Sequence, residues 1–113
     1  MATQYPSVIN QQQLNNQWIL TLKIPADLIY FEGHFDNEPI VAGVVQIAWV
    51  VYFAEKYIDF KIPIQQIKSI KFKRLMTPEI ILDLIIEQQA STLKFSYQDQ
   101  QGLFSKGILS AGS

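Results

Sequence analysis

From position 43 to 58 apolar residues stand on nearly every side of the chain. Val44, Val45, Ile47, Ala48, Trp49, Val50, Val51, Tyr52, Phe53, Ala54, Tyr57 and Ile58 are interrupted only by Gln46, Glu55 and Lys56. A helix that is apolar all round is buried all round, and this run falls short of the roughly 20 apolar residues that cross a bilayer. The pattern predicts a central core helix, with Gly43 at or near its first turn.

Elsewhere the period is two. Positions 8–14 form a polar, glutamine-rich segment fit for an edge strand, and Asn15-Asn16 marks a turn. Trp18, Leu20, Leu22 and Ile24 then alternate with Gln17, Thr21 and Lys23 until Pro25 stops the run. Positions 26–30 read as a short turn or helix, and 59–63 as a connector. Positions 66–75 alternate again, with Ile70 and Phe72 on one side and Lys71 and Lys73 on the other. After Thr77-Pro78, positions 80–87 are apolar on both faces except at Asp83, the pattern of a central strand. Leu93, Phe95 and Tyr97 define a further strand, 99–102 turn the chain, and 103–109 return antiparallel. One long helix with five or six strands in hairpins is an α+β fold, an antiparallel sheet wrapped around one central helix.

At 113 residues the chain is expected to be a single domain over residues 1–113. With 49% hydrophobic and 17% charged residues, it carries more apolar surface than one copy can hide, which favours an oligomer. A net charge of −1 and an isoelectric point near 5.7 argue against nucleic acid as a partner. With no cysteine and one histidine, a dedicated metal site is not expected. The first six residues have neither the basic patch nor the apolar core of a signal peptide, so a cytoplasmic protein is the expectation.

The one histidine, His34, lies between Gly33 and Phe35, nine residues before Gly43. Imidazole exchanges protons near neutrality, with an unperturbed pKa of about 6.5. The first amides of the predicted helix have no intrahelical acceptor, and with the helix dipole they suit an anion or a developing oxyanion. A lone histidine is nonetheless more often structural than catalytic.

Gly33-His34-Phe35, Pro39-Ile40 and Gly43-Val44-Val45-Gln46 resemble the signature of the 3-hydroxyacyl-acyl carrier protein dehydratases of fatty acid synthesis, a hotdog-fold family. The stretches 30–35 and 44–49 are most similar to the branch that acts in aryl polyene pigment pathways. Further along, 70–78 with Ile80, Leu82 and Leu84, then Leu93-Lys94-Phe95 and Ser105-Lys106-Gly107, follow the family in order, so the resemblance covers most of the chain. It implies the hotdog fold, a dimer placing two acyl tunnels at the subunit interface, and a substrate carried on an acyl carrier protein. It implies no cofactor and no membrane. His34 becomes the base that takes the C2 proton, the amide of Gly43 faces the thioester carbonyl, and Gly33, Phe35, Val44 and Trp49 contact the substrate.

The family also uses a carboxylate on the central helix, reaching the histidine of the other subunit, fourteen residues after the histidine. Here that position is Ala48, and Asp36 and Ala42 stand where the family usually has proline. Alanine can neither protonate a leaving hydroxyl nor orient water, and loss of a positioned general acid typically costs about 10²- to 10⁴-fold. Three accounts remain open: an engineered substitution, a natural loss leaving a binding or scaffolding subunit, or one half of a heterodimer whose partner supplies the acid. Tyr52, one turn further on the same face, is a candidate donor. An acyl thioesterase is a third functional class, from which the Gly-His-Phe motif points away.

Between positions 61 and 74 stand Lys61, Lys68, Lys71, Lys73 and Arg74 with no acidic residue. The plain reading is a solvated strand face. The functional one is a docking patch of Lys71, Lys73 and Arg74 for an acidic carrier protein, acting on encounter rate more than affinity.

Overall fold

The computed structural model describes residues 3–28, 40–61 and 63–111. Alternation builds the sheet. Strands β1 (Ser7–Leu14), β2 (Gln17–Lys23), β3 (Gln66–Phe72), β4 (Ile81–Gln89), β5 (Thr92–Asp99) and β6 (Gly102–Ser110) form one antiparallel sheet in the order β1-β2-β4-β5-β6-β3. The strand apolar on both faces, β4, is interior as its sequence requires. Glutamine-rich β1 and lysine-bearing β3 are the two edges.

Helix α1 (Gly43–Ile58) supplies Val45, Trp49, Val50, Phe53 and Ala54 to one apolar core with Leu20, Leu22, Leu82, Leu84, Ile86, Leu93, Phe95 and Tyr97 of the sheet. At its C-terminus Asp59 turns left-handed, with φ at 63°, and the Phe60 amide donates back to the Ala54 carbonyl at 3.2 Å. A left-handed residue just past the last turn is a common way for a helix to end. Residues ahead of β1 lie across the helix, where the Tyr5 ring stacks on Tyr52 with centroids 3.8 Å apart and the Trp49 indole donates to the Gln4 carbonyl at 3.2 Å.

Two expectations are modified. The helix is not buried all round: Val44 is 74% exposed and Ala48 is exposed on the same side. Its apolar pattern therefore exceeds what one sheet covers, since a single sheet can bury only the stripe that faces it. The basic strand ends at Phe72, short of Leu75, and every residue of it is exposed. Among the described residues it has a neighbouring strand on one side only, β6. Of positions 26–30, Ala26 and Asp27 form a turn and Leu28 bridges Thr3, while 29 and 30 lie outside the described residues.

Candidate active site

The site is built around the first turn of α1. Its N-cap, Ala42, has no side chain able to accept a hydrogen bond, and the first turn holds no acidic residue. Among the described residues no acceptor meets the amides of Gly43 and Val44, whereas Val45 and Gln46 both donate to the Ala42 carbonyl. Amides without an acceptor among the described residues, at the positive end of a helix dipole, suit an oxygen that gains negative charge.

One transverse row of the sheet seats this turn. Tyr97 of β5, Ser105 of β6 and Phe72 of β3 lie directly opposite one another in register. Tyr97 donates its hydroxyl to the Gln46 carbonyl at 2.7 Å, and Ser105 donates to the Gln46 side-chain Oε1 at 2.7 Å. Phe72 lies so close over Gly43 that a β-carbon there would run into its ring. The Gln46 Nε2 then donates to the Val41 carbonyl at 3.0 Å, and the Val41 amide donates to the Met76 carbonyl at 2.8 Å. Gln46, Ser105 and Tyr97 are all buried, so these bonds are made away from water. Burial pushes the Tyr97 hydroxyl well above its ordinary pKa, so it stays a donor.

The residues expected from sequence divide in three. Val44 and Ala48 share the open face near the start of the helix, Gly43 is half-buried beneath the Phe72 ring, and Trp49 is wholly buried among core residues with its indole N–H on the amino-terminal segment. Gly33, His34 and Phe35, with Asp36, lie outside the described residues. Tyr52 is stacked beneath Tyr5 and edge-on to Phe53. Of the basic patch, Arg74 is engaged: it pairs with Asp99, donates to Gln101 and the Gly102 carbonyl, and lies 3.8 Å over the Phe104 ring. Lys71 is exposed and lines a groove of about 450 Å³ on the sheet face turned away from the helix, with Lys94, Lys106, Ile85 and Ile108. It stands directly opposite Lys106. Lys73 is exposed just past the strand. Among the described residues no three potential metal ligands cluster.

The family model for ApeI-like proteins, described as ApeI dehydratase, matches residues 10–108. The chain belongs to the ApeI-like dehydratase family. Its structure superposes on a chain of the dehydratase heterocomplex ApeI:P from Xenorhabdus doucetiae with a TM-score of 0.83 and 28% identity, over 93% of this chain and 96% of that one. An uncharacterised protein from Erwinia carotovora subsp. atroseptica matches with a TM-score of 0.78 and 27% identity, over 94% of this chain and 93% of the other. No curated protein matches. The six-stranded antiparallel sheet around one helix is thus the hotdog fold expected from the motifs.

What sequence reading missed in this ApeI-like chain is the use of Gln46, Ser105 and Tyr97. Gln46 registered only as an interruption of an apolar run. The available signal was its polarity: an amide inside a core helix must find partners, because burying it unpaired is costly. Ser105 falls on the inward face of β6, opposite Tyr97, for the same reason.

Proposed function

We propose that this chain is the histidine-bearing half of a dehydratase acting on 3-hydroxyacyl thioesters of an acyl carrier protein, with the general acid supplied by the helix of a different subunit. The observation that carries this reading is Ala48. It sits on the open helix face with Val44, at the family's acid position, and the nearest described carboxylate on the helix, Glu55, is about two turns away.

His34 accepts the C2 proton, and the electron pair moves into the thioester carbonyl, where the Gly43 amide stabilises the enolate oxygen. Collapse of the enolate breaks the C3–O bond. The hydroxyl departs as water with a proton from the partner's acid, leaving the trans-2-enoyl thioester. All three tasks fall to protein groups, so the elimination calls for no cofactor.

Two further observations support the assembly. The apolar side chains of Val44, Ile70, Phe72 and Leu75 are exposed and distributed over the open helix face, edge strand β3 and the residues that follow it, a suitable surface for a second subunit. The relative from Xenorhabdus doucetiae is part of a heterocomplex. For the carrier protein, Lys71 and Lys73 remain available as docking cations, whereas Arg74 serves mainly to fasten the β5–β6 turn.

The test compares this chain with its Ala48→Asp and Ala48→Glu variants, assayed for interconversion of 3-hydroxyacyl and trans-2-enoyl chains on an acyl carrier protein. The native chain alone is expected to be inactive, and a variant to gain about 10²- to 10⁴-fold over it. Inactivity of all three, with carrier binding intact, would favour the second reading that Ala48 suggests, a non-catalytic acyl-carrier-binding or scaffolding subunit.

A further inference from the structure

We infer that Gln46 is a positioning residue for the proposed reaction: together with Ser105 and Tyr97 it fixes the place of the Gly43 amide, and so sets how strongly the thioester carbonyl is polarised. This rests on the reading of Gly43 given above.

A first turn is ordinarily fixed by an N-cap side chain that accepts one of its free amides. Ala42 cannot do this. The fixing comes instead from Gln46, one turn inside the helix. Its Nε2 reaches back 3.0 Å to the carbonyl of Val41, immediately before the cap, while the amide of Val41 is tied to Met76 at 2.8 Å. The entry segment is therefore gripped from both sides of one residue.

Gln46 is itself anchored twice to neighbouring strands. Ser105 donates to its side-chain oxygen and Tyr97 to its main-chain oxygen, both at 2.7 Å. The rotamer of Gln46 is thus set by the sheet, and the sheet sets the helix entry through it. Phe72, the third member of the same row, covers Gly43 itself. An amide acts on an oxyanion only when it lies about 2.7–3.1 Å from where that oxygen will sit. Displacement of the entry segment by about 1 Å is enough to lose a large part of the effect.

The Gln46→Met variant keeps the length and volume of the side chain and loses both of its hydrogen bonds. Ser105→Ala removes one hydroxyl and leaves the apolar core untouched, so it serves if Gln46→Met fails to fold. The probe is crotonyl-pantetheine carrying ¹³C at the thioester carbonyl, added to the full-length protein and followed by isotope-edited infrared difference spectroscopy. With no acid at position 48, the bound thioester is not hydrated during the measurement.

In the native protein the carbonyl band is expected to move to lower frequency on binding. In both variants most of that shift should vanish while the thioester still binds and the protein still melts cooperatively. A role confined to stability would lower the melting temperature and leave the band where it was. A native shift retained in full by the variants overturns the assignment of Gln46 and leaves Gly43 standing. Binding to the native protein without any shift, or no binding at all, removes the Gly43 reading and this inference with it.

Discussion

Two glycines touch the strand that borders the site, and the same substitution should act on them very differently. In Gly107→Ala, the new β-carbon would stand 2.7 Å from the Ser69 carbonyl oxygen, 2.8 Å from the Phe95 ring and 3.0 Å from the Ile70 Cδ1. The first of these is backbone, in the strand that Gly107 itself pairs with, and cannot swing away. Overpacking of this kind costs about 1–3 kcal/mol, and the rigid neighbour places Gly107→Ala near the upper end. Relief from glycine's backbone entropy returns about 0.5–1 kcal/mol. The net loss is about 2 kcal/mol, which for a domain of this size lowers the melting temperature by about 8 °C.

In Gly43→Ala the obstacle is only the Phe72 ring, and Phe72 is 51% exposed. The ring can rotate into solvent, and alanine is the better helix former by up to about 1 kcal/mol. The two effects oppose each other, and the melting temperature should stay within about 3 °C of the parent. Thermal unfolding by circular dichroism, at one fixed protein concentration because association shifts the midpoint, reads both. If Gly107→Ala melted with the parent while Gly43→Ala fell by the larger amount, the claim that backbone and side-chain obstacles decide the two outcomes would be refuted.

Three other outcomes follow from the same geometry. The hydrogen bond from Arg74 holds the Asp99 carboxyl below its usual range, so its contribution to stability is complete above the ordinary carboxylate pKa and is lost as pH falls through the lowered folded value. An acid titration of the melting temperature should be flatter in Asp99→Asn, and unchanged steepness would count against the pair. On the alkaline side Tyr97 keeps its proton when folded but releases it near a pKa of about 10 when unfolded, so stability should decline above that pH in the parent and less in Tyr97→Phe. Lys71→Glu should weaken binding of an acidic acyl carrier protein at low salt, with the difference shrinking as salt shortens the screening length to about 8 Å at physiological ionic strength. An affinity that responds to salt identically in parent and variant would return Lys71 to a solvated strand face.

The strands were legible because their side chains have only two directions to point, and burial on one face writes itself as alternation at Leu20-Leu22, Leu82-Leu84-Ile86 and Leu93-Phe95-Tyr97. The helix was legible as a helix, but its surroundings were not. Composition along 43–58 records which residues shun water, and it does not say whether the cover comes from this chain's sheet or from elsewhere. The sheet and the amino-terminal segment account for Trp49, Val50 and Phe53, and leave Val44 and Ala48 open. The same ambiguity hid Gln46: in a one-dimensional pattern it is a break in an apolar face, and only pairing of β5 with β6 and β6 with β3 brings Tyr97, Ser105 and Phe72 into one row beneath it. That row joins the two halves of the problem. The residues that seat the first turn reach the sheet's edge at Phe72, and the helix face they leave exposed begins at Val44, so a subunit laid against that edge would meet the open face containing position 48. On the reading proposed above, the acid that serves His34 comes from the neighbour's own helix, brought across that same contact.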